Sequence, residues 1–518
     1  MMLPNVADIG DWSVAVIAVV VGILLTRVLV SKLRNLPPGP RALPIIGNLH
    51  LLGTHPHEDL AKLAKTYGPV MSLWFGQKLT VVATSPAAAE EILKTQGLNF
   101  TSRPKTTFGE LVVSEAVVFP NETPRRRHMK KILHTQLSSA KQLQLSECVR
   151  AEEITHMLRM FPQDGTTAVP VRTYLEVVVT NILSRMVLKK RLLAVAQKGE
   201  KGQEFEIVRK FKSIVDEIAE CSLHINPGDF IPVFNWIDIQ GFRKRVRNLK
   251  KQMDAFMADI VSEHRELRKS GAVHDKDMVD VFLDQMEDKS LRFDVTEQSI
   301  YSALWDAFVA GTLTTTDSTE WAMAECIHNP EVMTKVQAEL DAVVGKSRRV
   351  EEADIPNLKY LQAVVKETFR LHISPPMLIP RENENACKIL GYDIPKGTTI
   401  IVNAAAIARD PSIWEDPLTF KPERFLEGSP SANTDVQGNN FELLPFGSGR
   451  RQCAGIGLGL SMTHILTATL LQSYDWSLPN DLQPTDLDMS EAPGMLPHRA
   501  QSLSAIPKAR MSISSIVK

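Results

Sequence analysis

A single cysteine near the carboxyl end of the chain lies in a basic, glycine-rich segment. Residues 444–455 have the sequence LPFGSGRRQCAG, in which Cys453 follows Arg450 and Arg451. A free cysteine is among the most frequently buried residues, so a structural thiol in a turn is one interpretation. Glycines, however, let a backbone approach a flat and rigid ligand, and guanidinium groups suit an anionic one. The segment therefore indicates either a core thiol or a sulfur ligand to a bound group.

Three further segments contain residue types that could act together with this cysteine. Residues 310–316, AGTLTTT, combine glycine with β-branched residues, which are unfavourable inside a helix and leave room for a ligand or for another helix. Glu367 and Arg370 are one helical turn apart and can pair, either at the surface or in the core. Arg424, in the Pro-Glu-Arg-Phe segment 422–425, is flanked by apolar residues, which indicates either an inward-facing guanidinium or an ordinary capped turn.

The elements that must position these segments are mostly helical. Segments with helical period are 205–222, 241–267 and 353–371, and segments with strand pattern are 68–86, around a turn at Gly76 and Gln77, and 388–404. The stretch that contains Thr314 is predicted to be one long helix, which begins at Asp294 with Glu297 as capping-box partner and ends near Asn329. The sequence therefore predicts a mainly α fold with a minor β sheet.

The amino-terminal segment has the pattern of a membrane anchor. Residues 12–26 carry no charge, the apolar character continues to Val30, and cations follow. This order differs from that of a cleaved signal peptide and places the body of the protein on the cytoplasmic side. We expect a single transmembrane anchor at 1–35, a proline-rich hinge at 36–41 and one large domain at 42–518.

Composition excludes several classes of protein. The formal net charge of -1 gives no reason to expect a nucleic-acid partner. The 5 cysteines are odd in number and widely scattered, without a C-x-x-C pair, which argues against a disulfide framework and against a zinc site.

Taken together and in this order, the segments resemble the cytochrome P450 family of haem-thiolate monooxygenases over essentially the whole chain. The family pattern Phe-x-x-Gly-x-Arg-x-Cys-x-Gly is matched by Phe446, Gly449, Arg451, Cys453 and Gly455. The chain looks like a membrane-anchored plant member near the phenylpropanoid and flavonoid hydroxylases. This resemblance implies the family fold, with Cys453 as the thiolate ligand of the iron of haem b.

The resemblance also implies which cations contact the haem propionates. Arg451 and, by position, Arg381 are the first candidates, since guanidinium groups pair with carboxylates. The family commonly has Trp-x-x-x-Arg in another helix, and by position this chain has Arg126 and Lys130 there, which is a departure from the family pattern.

The resemblance further assigns a structural network behind the haem. Glu367, Arg370 and Arg424 match the family's ion network, which stabilises the fold and takes no part in catalysis.

The long helix is expected to pass over the oxygen side of the haem. By resemblance, Ala310 and Gly311 leave space for dioxygen, and Thr314 relays protons. The family usually has an acid immediately before that threonine, whereas this chain has Leu313, which cannot supply protons. Proton delivery must then use water, a neighbouring threonine, Asp317 one turn further along the helix or another route, or else be slow.

Substrate pockets in this family are apolar with a few polar anchors. By position, the candidate lining residues are the loop 102–118 together with Trp305, Asp306, Met377, Leu378, Met495 and Leu496. Asp306 either accepts a hydrogen bond from a phenolic hydroxyl or is an ordinary carboxylate on a helix surface.

The expected activity is insertion of one oxygen atom from dioxygen into a small apolar, aromatic substrate. NADPH would supply the electrons through NADPH-cytochrome P450 reductase, docked on the basic run 125–131, unless that run is a solvated helix face. Three alternatives stay open. They are a haem-thiolate isomerase or dehydratase that acts on a peroxide without reductase, a terpenoid or fatty-acid hydroxylase, and a non-catalytic haem or ligand-binding protein. The expected location is the endoplasmic reticulum membrane, single-pass in membrane lipid, with the catalytic domain facing the cytoplasm.

Overall fold

A computed structural model describes most of the chain after the amino-terminal segment. It covers residues 35–512 except 163, 193–202, 225, 232–233, 235–237, 239, 272–274 and 495–497, together with Gly22. The anchor predicted at 1–35 lies outside the described residues apart from Gly22 and Asn35. Within the covered ranges, no helix has both the length and the apolar character needed to cross a bilayer.

Helices form most of the regular secondary structure, as the sequence predicts. They are α1 (Pro56–Tyr67), α2 (Pro86–Glu90), α3 (Thr107–Leu111), α4 (Pro124–Leu137), α5 (Ala140–Leu145), α6 (Glu147–Arg159), α7 (Val171–Leu188), α8 (Gln203–Leu223), α9 (Phe242–Lys269), α10 (Met278–Glu287), α11 (Glu297–His328), α12 (Pro330–Val343), α13 (Lys359–Leu371), α14 (Ala404–Ala408) and α15 (Ile456–Ser473). The predicted helix 353–371 is divided into a 3-10 turn, Glu352–Asn357, and α13, because Pro356 cannot continue a regular helix.

The strands form three small sheets. They are β1 (Val70–Phe75), β2 (Lys78–Ala83), β3 (Val169–Pro170), β4 (Arg381–Glu382), β5 (Cys387–Ile389), β6 (Tyr392–Ile394), β7 (Thr399–Val402), β8 (Tyr474–Ser477) and β9 (Ser504–Ala509). The largest sheet has the order β1-β2-β7-β4, with β2 and β7 parallel and the other pairs antiparallel. The predicted hairpin turn at Gly76 and Gln77 is confirmed, and the backbone of Gly76 has a φ of +56°.

The long helix α11 crosses the domain and packs against α7 and α15. Its 32 residues span about 48 Å at 1.5 Å per residue. It begins at Glu297, not at Asp294, because Thr296 is the N-cap. The side chains of Thr296 and Ser299 each accept a hydrogen bond from the backbone N–H of the other residue, which is a capping box. The prediction that Glu297 is the capping-box partner is therefore wrong.

A buried ion network fixes α13 to the 3-10 turn at 422–425. Arg370 donates to both oxygens of Glu367 at 2.7 and 2.8 Å, and Arg424 Nε donates to Glu367 Oε1 at 3.0 Å. Arg370 and Glu367 are fully buried, and the remaining N–H groups of Arg370 donate to the carbonyls of Ala408 and Pro417. The structure thus brings together the three residues that the resemblance assigns to this network.

Replacing Glu367 with glutamine removes the carboxylate that both guanidinium groups share. Because two buried cations then lack a counter-ion, we expect Glu367→Gln to lower the free energy of unfolding by about 3–5 kcal/mol. Urea unfolding measures the change. The matched control is Glu90→Gln, in the exposed Lys94–Glu90 pair at 3.0 Å, for which we expect a loss of at most about 1 kcal/mol. Equal losses in the two variants would contradict this assignment.

A buried histidine links α9 to α10. His264 Nδ1 lies 2.8 Å from the carbonyl oxygen of Ile260, and Nε2 lies 2.7 Å from Asp277 Oδ2. Both neighbours only accept hydrogen bonds, so the doubly protonated imidazole satisfies both contacts. Burial alone would lower the pKa of His264, but the bonds to Asp277 and Ile260 and the nearby charge of Asp280 raise it overall.

This raised pKa sets the pH at which the pair stabilises the fold. The contribution is fully present below the ordinary histidine pKa of about 6.5 and is lost as pH rises through the higher pKa of the folded state. We therefore expect the difference in unfolding free energy between wild type and His264→Gln to shrink with rising pH. Asp277→Asn keeps an N-cap acceptor for α10 but removes the negative charge. In that background, the loss of unfolding free energy caused by His264→Gln should depend much less on pH. Identical pH profiles in the two backgrounds would refute the pairing.

Candidate active site

A cavity of about 300 Å³ lies between the middle of α11 and the loop that contains Cys453. The α11 side contributes Asp306, Ala310, Gly311 and Thr314, and Cys453 lies among the residues of the opposite loop. Most of the remaining wall is apolar, with side chains from α4, α7, α13 and α15. Among them are Leu133, Leu137, Leu183, Phe369, Leu458 and Met462.

The Cys453 loop is held in place by backbone contacts. Gly449 has a φ of +71°, and a Cβ at this position would lie 2.2 Å from the carbonyl oxygen of Leu93, so only glycine fits. The N–H of Cys453 donates to the carbonyl of Phe446 at 3.1 Å, and the Phe446 ring packs edge-on against Phe369 at 5.2 Å. Gly449 therefore shapes the loop from outside the cavity lining, whereas Phe446 and Cys453 line it.

The sulfur of Cys453 has surroundings that suit a metal ligand. Burial raises the pKa of the Cys453 thiol, while the N–H of Gly455 and the ammonium of Lys130 favour the thiolate. A bound cation would supply the missing stabilisation of the negative sulfur. Cys453 and Thr314 line the same cavity, so a group bound to the sulfur would share that cavity with Thr314.

Five cations form what we call the basic end of the cavity. Its members are Arg103, Arg126, Lys130, Arg381 and Arg451, all of which line the cavity. Most of their hydrogen bonds are donated to backbone carbonyls. Arg451 donates to Thr101 at 2.7 Å and Arg103 donates to Pro380 at 2.9 Å. Among the described residues, only Arg126 has a carboxylate partner within this group, Glu122 at 2.6 Å.

Among the described residues, the basic end has one carboxylate partner for its five cations. Burial, followed by the neighbouring cations, lowers the pKa of Arg451 to about 9, of Arg381 to about 10 and of Lys130 to about 8. The pKa of Arg103 is also lowered, first by burial and then by the charges of Arg451 and Arg381. A ligand with two carboxylates, such as the propionates of haem, provides the charge that this cluster needs. The residues present therefore fit haem.

The two positions that depart from the family pattern also lie at this end. Arg126 donates from Nε to the carbonyl of Val117 at 2.7 Å, in addition to its pair with Glu122. Lys130 donates to the carbonyls of Arg450 and Gln452 at 3.0 and 2.8 Å. Both cations therefore reach the cavity and also stabilise the loops around it.

Sequence reasoning missed Arg103 as a cation of this cluster. It falls within the segment 102–118, which was assigned to substrate contacts as a whole, and no motif separates it from its neighbours. Its immediate neighbours, Ser102, Pro104 and Lys105, give no local signal that it faces a cavity. Only the folded chain brings it beside Arg381 and Arg451.

The helix α11 presents Thr314 to the cavity but turns Leu313 away from it. Thr314 Oγ1 donates to the carbonyl of Ala310 at 2.7 Å, and Leu313 packs against the main hydrophobic core. Gly311 lines the cavity, but a Cβ there would also meet Leu183 at 2.9 Å, so this glycine permits close packing of α11 on α7. Asp317 is buried in an ion pair with Arg172 at 2.8 Å and does not line the cavity, which removes the geometric basis for its role as a direct substitute for the missing acid.

The predicted substrate residues separate into three groups. Asp306 and Leu378 line the cavity. Trp305 does not, because its indole N–H donates to Met253 and its ring stacks on Phe211 in the core. Met377 does not either, because it packs in the hydrophobic cluster beneath the largest sheet. Met495 and Leu496 lie outside the described residues.

The basic end provides a direct test with a matched neighbour. Arg451 is buried and faces the cavity, whereas Arg450 is exposed. Because a charge-assisted hydrogen bond contributes about 1.5–3 kcal/mol, we expect Arg451→Leu to release haem at least about tenfold faster than wild type. Haem transfer to apomyoglobin measures the rate. Arg450→Leu should release haem at the wild-type rate, and equal acceleration in both variants would show that the effect is not one of propionate contact.

Comparison with known proteins agrees with this geometry. The chain matches the family described as Cytochrome P450 over residues 37–503. It is 40% identical to flavonoid 3'-monooxygenase of Petunia hybrida over 98% of this chain and 99% of the relative, and 41% identical to flavonoid 3'-monooxygenase of Arabidopsis thaliana over 93% of each. It is also 39% identical to flavonoid 3',5'-hydroxylase of Solanum melongena over 96% of both chains. With the thiol, the basic end and Thr314 around one cavity, the chain belongs to the cytochrome P450 family of haem-thiolate monooxygenases.

Proposed function

We propose that the protein hydroxylates an aromatic ring of a flavonoid or a related phenylpropanoid. The observation that carries the proposal is the likeness, along nearly the whole chain, to flavonoid 3'-monooxygenases at about 40% identity. The apolar walls of the cavity, with few polar groups, support a planar aromatic ligand. The balanced reaction converts the substrate C–H, dioxygen, NADPH and one proton into the C–OH product, water and NADP⁺.

Each group at the cavity has a distinct part in this reaction. Haem activates dioxygen when it is bound, and Cys453 would hold its iron. The basic end would bind the propionates and so fix the orientation of the ring. Thr314 would hold a proton at its hydroxyl on the oxygen side, while apolar side chains exclude bulk water from the reacting carbon.

We propose that NADPH-cytochrome P450 reductase docks on the side of the molecule nearest Cys453. The basic groups exposed there are Arg127, Lys131, His134 and Arg450. His134 contacts the carbonyl of Ala454 at 3.0 Å, next to the sulfur ligand. An acidic flavoprotein would be attracted to this face, and its electrons would enter by a short path.

We further propose that the protein is attached to the endoplasmic reticulum membrane by residues 1–35, with its catalytic domain in the cytoplasm. The support is the uncharged apolar segment followed by cations. In that location, contact with membrane lipid would favour the partition of apolar substrates toward the cavity.

Turnover in a defined system tests the proposed function. Full-length protein in lipid vesicles, with reductase, NADPH and a flavanone or flavone, should give a product heavier by one oxygen atom derived from labelled dioxygen. Cys453→Ser should lack both the red-shifted Soret band of the reduced carbon-monoxide complex and the product. Rearrangement of a lipid peroxide without reductase would favour the isomerase alternative, and oxidation of terpenoids or fatty acids alone would overturn the flavonoid proposal.

A further inference from the structure

We propose that Asp306 selects substrates that carry a hydrogen-bond donor, such as a phenolic hydroxyl, at the end of the molecule remote from the carbon that is oxidised. This inference rests on the proposed aromatic hydroxylation and names the chemistry of the substrate's far end. It depends on the position of Asp306, on the way one of its oxygens is fixed and on the freedom of the other.

One oxygen of Asp306 is fixed by the loop that covers the cavity. Oδ2 accepts hydrogen bonds from the N–H groups of Val117 and Val118 at 2.5 and 3.2 Å. Two backbone donors orient the carboxylate and leave little rotation about its terminal bond. The side chain is therefore a rigid part of the wall.

The same two peptide groups are also held from their carbonyl side. Val117 O accepts a hydrogen bond from Arg126 Nε at 2.7 Å. Val118 O accepts hydrogen bonds from Arg103 and Arg451, both at 3.4 Å. The loop is thus held between the Asp306 carboxylate and the basic end, so the location of Asp306 relative to a bound haem is fixed.

The other oxygen of Asp306 is available to a ligand. In the part of the chain that the structure describes, no group donates a hydrogen bond to Oδ1. This atom is also not one of the fully buried polar atoms that lack a hydrogen-bond partner. The neighbouring residues Trp305 and Ala307 are buried, whereas Asp306 keeps accessible surface and lines the cavity. Of the described residues around the cavity, Asp306 alone has a carboxylate. Its free oxygen is thus the one carboxylate acceptor that the described lining offers to a ligand.

The groups around Asp306 stabilise its negative charge only in part. Burial raises its pKa to about 7, against the opposing effect of the N–H groups of Val117 and Val118 and of the charge on Arg126. A ligand hydroxyl that donates to Oδ1 would supply the missing stabilisation, and hydrogen bonds to ionised groups are the stronger class.

The distance along α11 assigns this contact to the far end of the substrate. Asp306 and Thr314 are eight residues apart, which corresponds to about 12 Å along the helix. A planar molecule of two fused rings with a third ring attached can extend between them. Its oxidised ring would then lie near Thr314, and a hydroxyl on the opposite ring would lie near Asp306.

Binding measurements with matched ligands test the proposal without turnover. The holoenzyme is titrated with two flavonoids that differ only by the hydroxyl on the ring remote from oxidation, and the shift of the haem absorption band gives Kd. A site built to bond a hydroxyl rejects the analogue without it, so wild type should bind the hydroxylated ligand at least about tenfold more tightly.

Two variants separate recognition from simple loss of structure. In Asp306→Asn, the amide oxygen can still accept from Val117 and Val118, which leaves the amide N–H₂ facing the cavity. The preference should then invert toward a ligand with a methoxy acceptor in place of the hydroxyl. Glu115→Gln removes a carboxylate of the same loop outside the cavity lining and should keep the wild-type preference. Haem content of each variant verifies the fold.

The outcomes distinguish this inference from the proposed function. Unchanged discrimination in Asp306→Asn, or equal Kd values for both ligands in wild type, would overturn the role of Asp306. A second pair, a para-alkylphenol and its methyl ether, extends the comparison to another skeleton. If wild type binds no flavonoid but prefers the alkylphenol, the flavonoid proposal falls and the role of Asp306 stands.

Discussion

The concentration of positive charge at one end of the cavity is the constraint on which the rest of the site depends. Four arginines and one lysine approach each other there. Burial lowers the pKa of each, and repulsion by neighbouring cations adds to that effect for Arg103, Lys130, Arg381 and Arg451. Backbone carbonyls from four separate segments, 100–101, 117–120, 379–380 and 448–452, accept most of their hydrogen bonds. Carbonyls satisfy the donors but do not neutralise the charge, so a dicarboxylate ligand stabilises the whole arrangement. Folding of these loops and binding of the cofactor are therefore linked.

The helix α11 connects this charged end with the region that would receive substrate. Its length lets one rigid element carry Thr314 beside the expected position of dioxygen and Asp306 about two turns away. Gly311 allows α11 to pack closely on α7, so the helix is fixed against the core at the same point at which it borders the cavity. The distance between Thr314, on the side expected for oxidation, and Asp306 is thus set by the geometry of the helix and not by flexible loops.

Local patterns were sufficient where a few neighbouring residues decide the structure. The hairpin at Gly76, the loop around Cys453 and the turn spacing of Glu367 and Arg370 follow from residues close in sequence. Predictions were wrong where a competing local interaction or a distant neighbour decides. Ser299, not Glu297, completes the capping box of α11, and Trp305 faces the core because Phe211 and Met253 of other helices contact it.

The sequence by itself determined the family and the mainly helical fold, and it predicts Cys453 as the sulfur ligand. Those properties depend on residue types at short, fixed spacing, which the covalent chain imposes. Only the tertiary structure decided that Arg103 joins the basic end, that Met377 lies in a separate core and that Asp306 exposes one oxygen to the cavity. These properties depend on contacts between segments far apart in the chain, whose geometry is set by packing and charge and not by spacing.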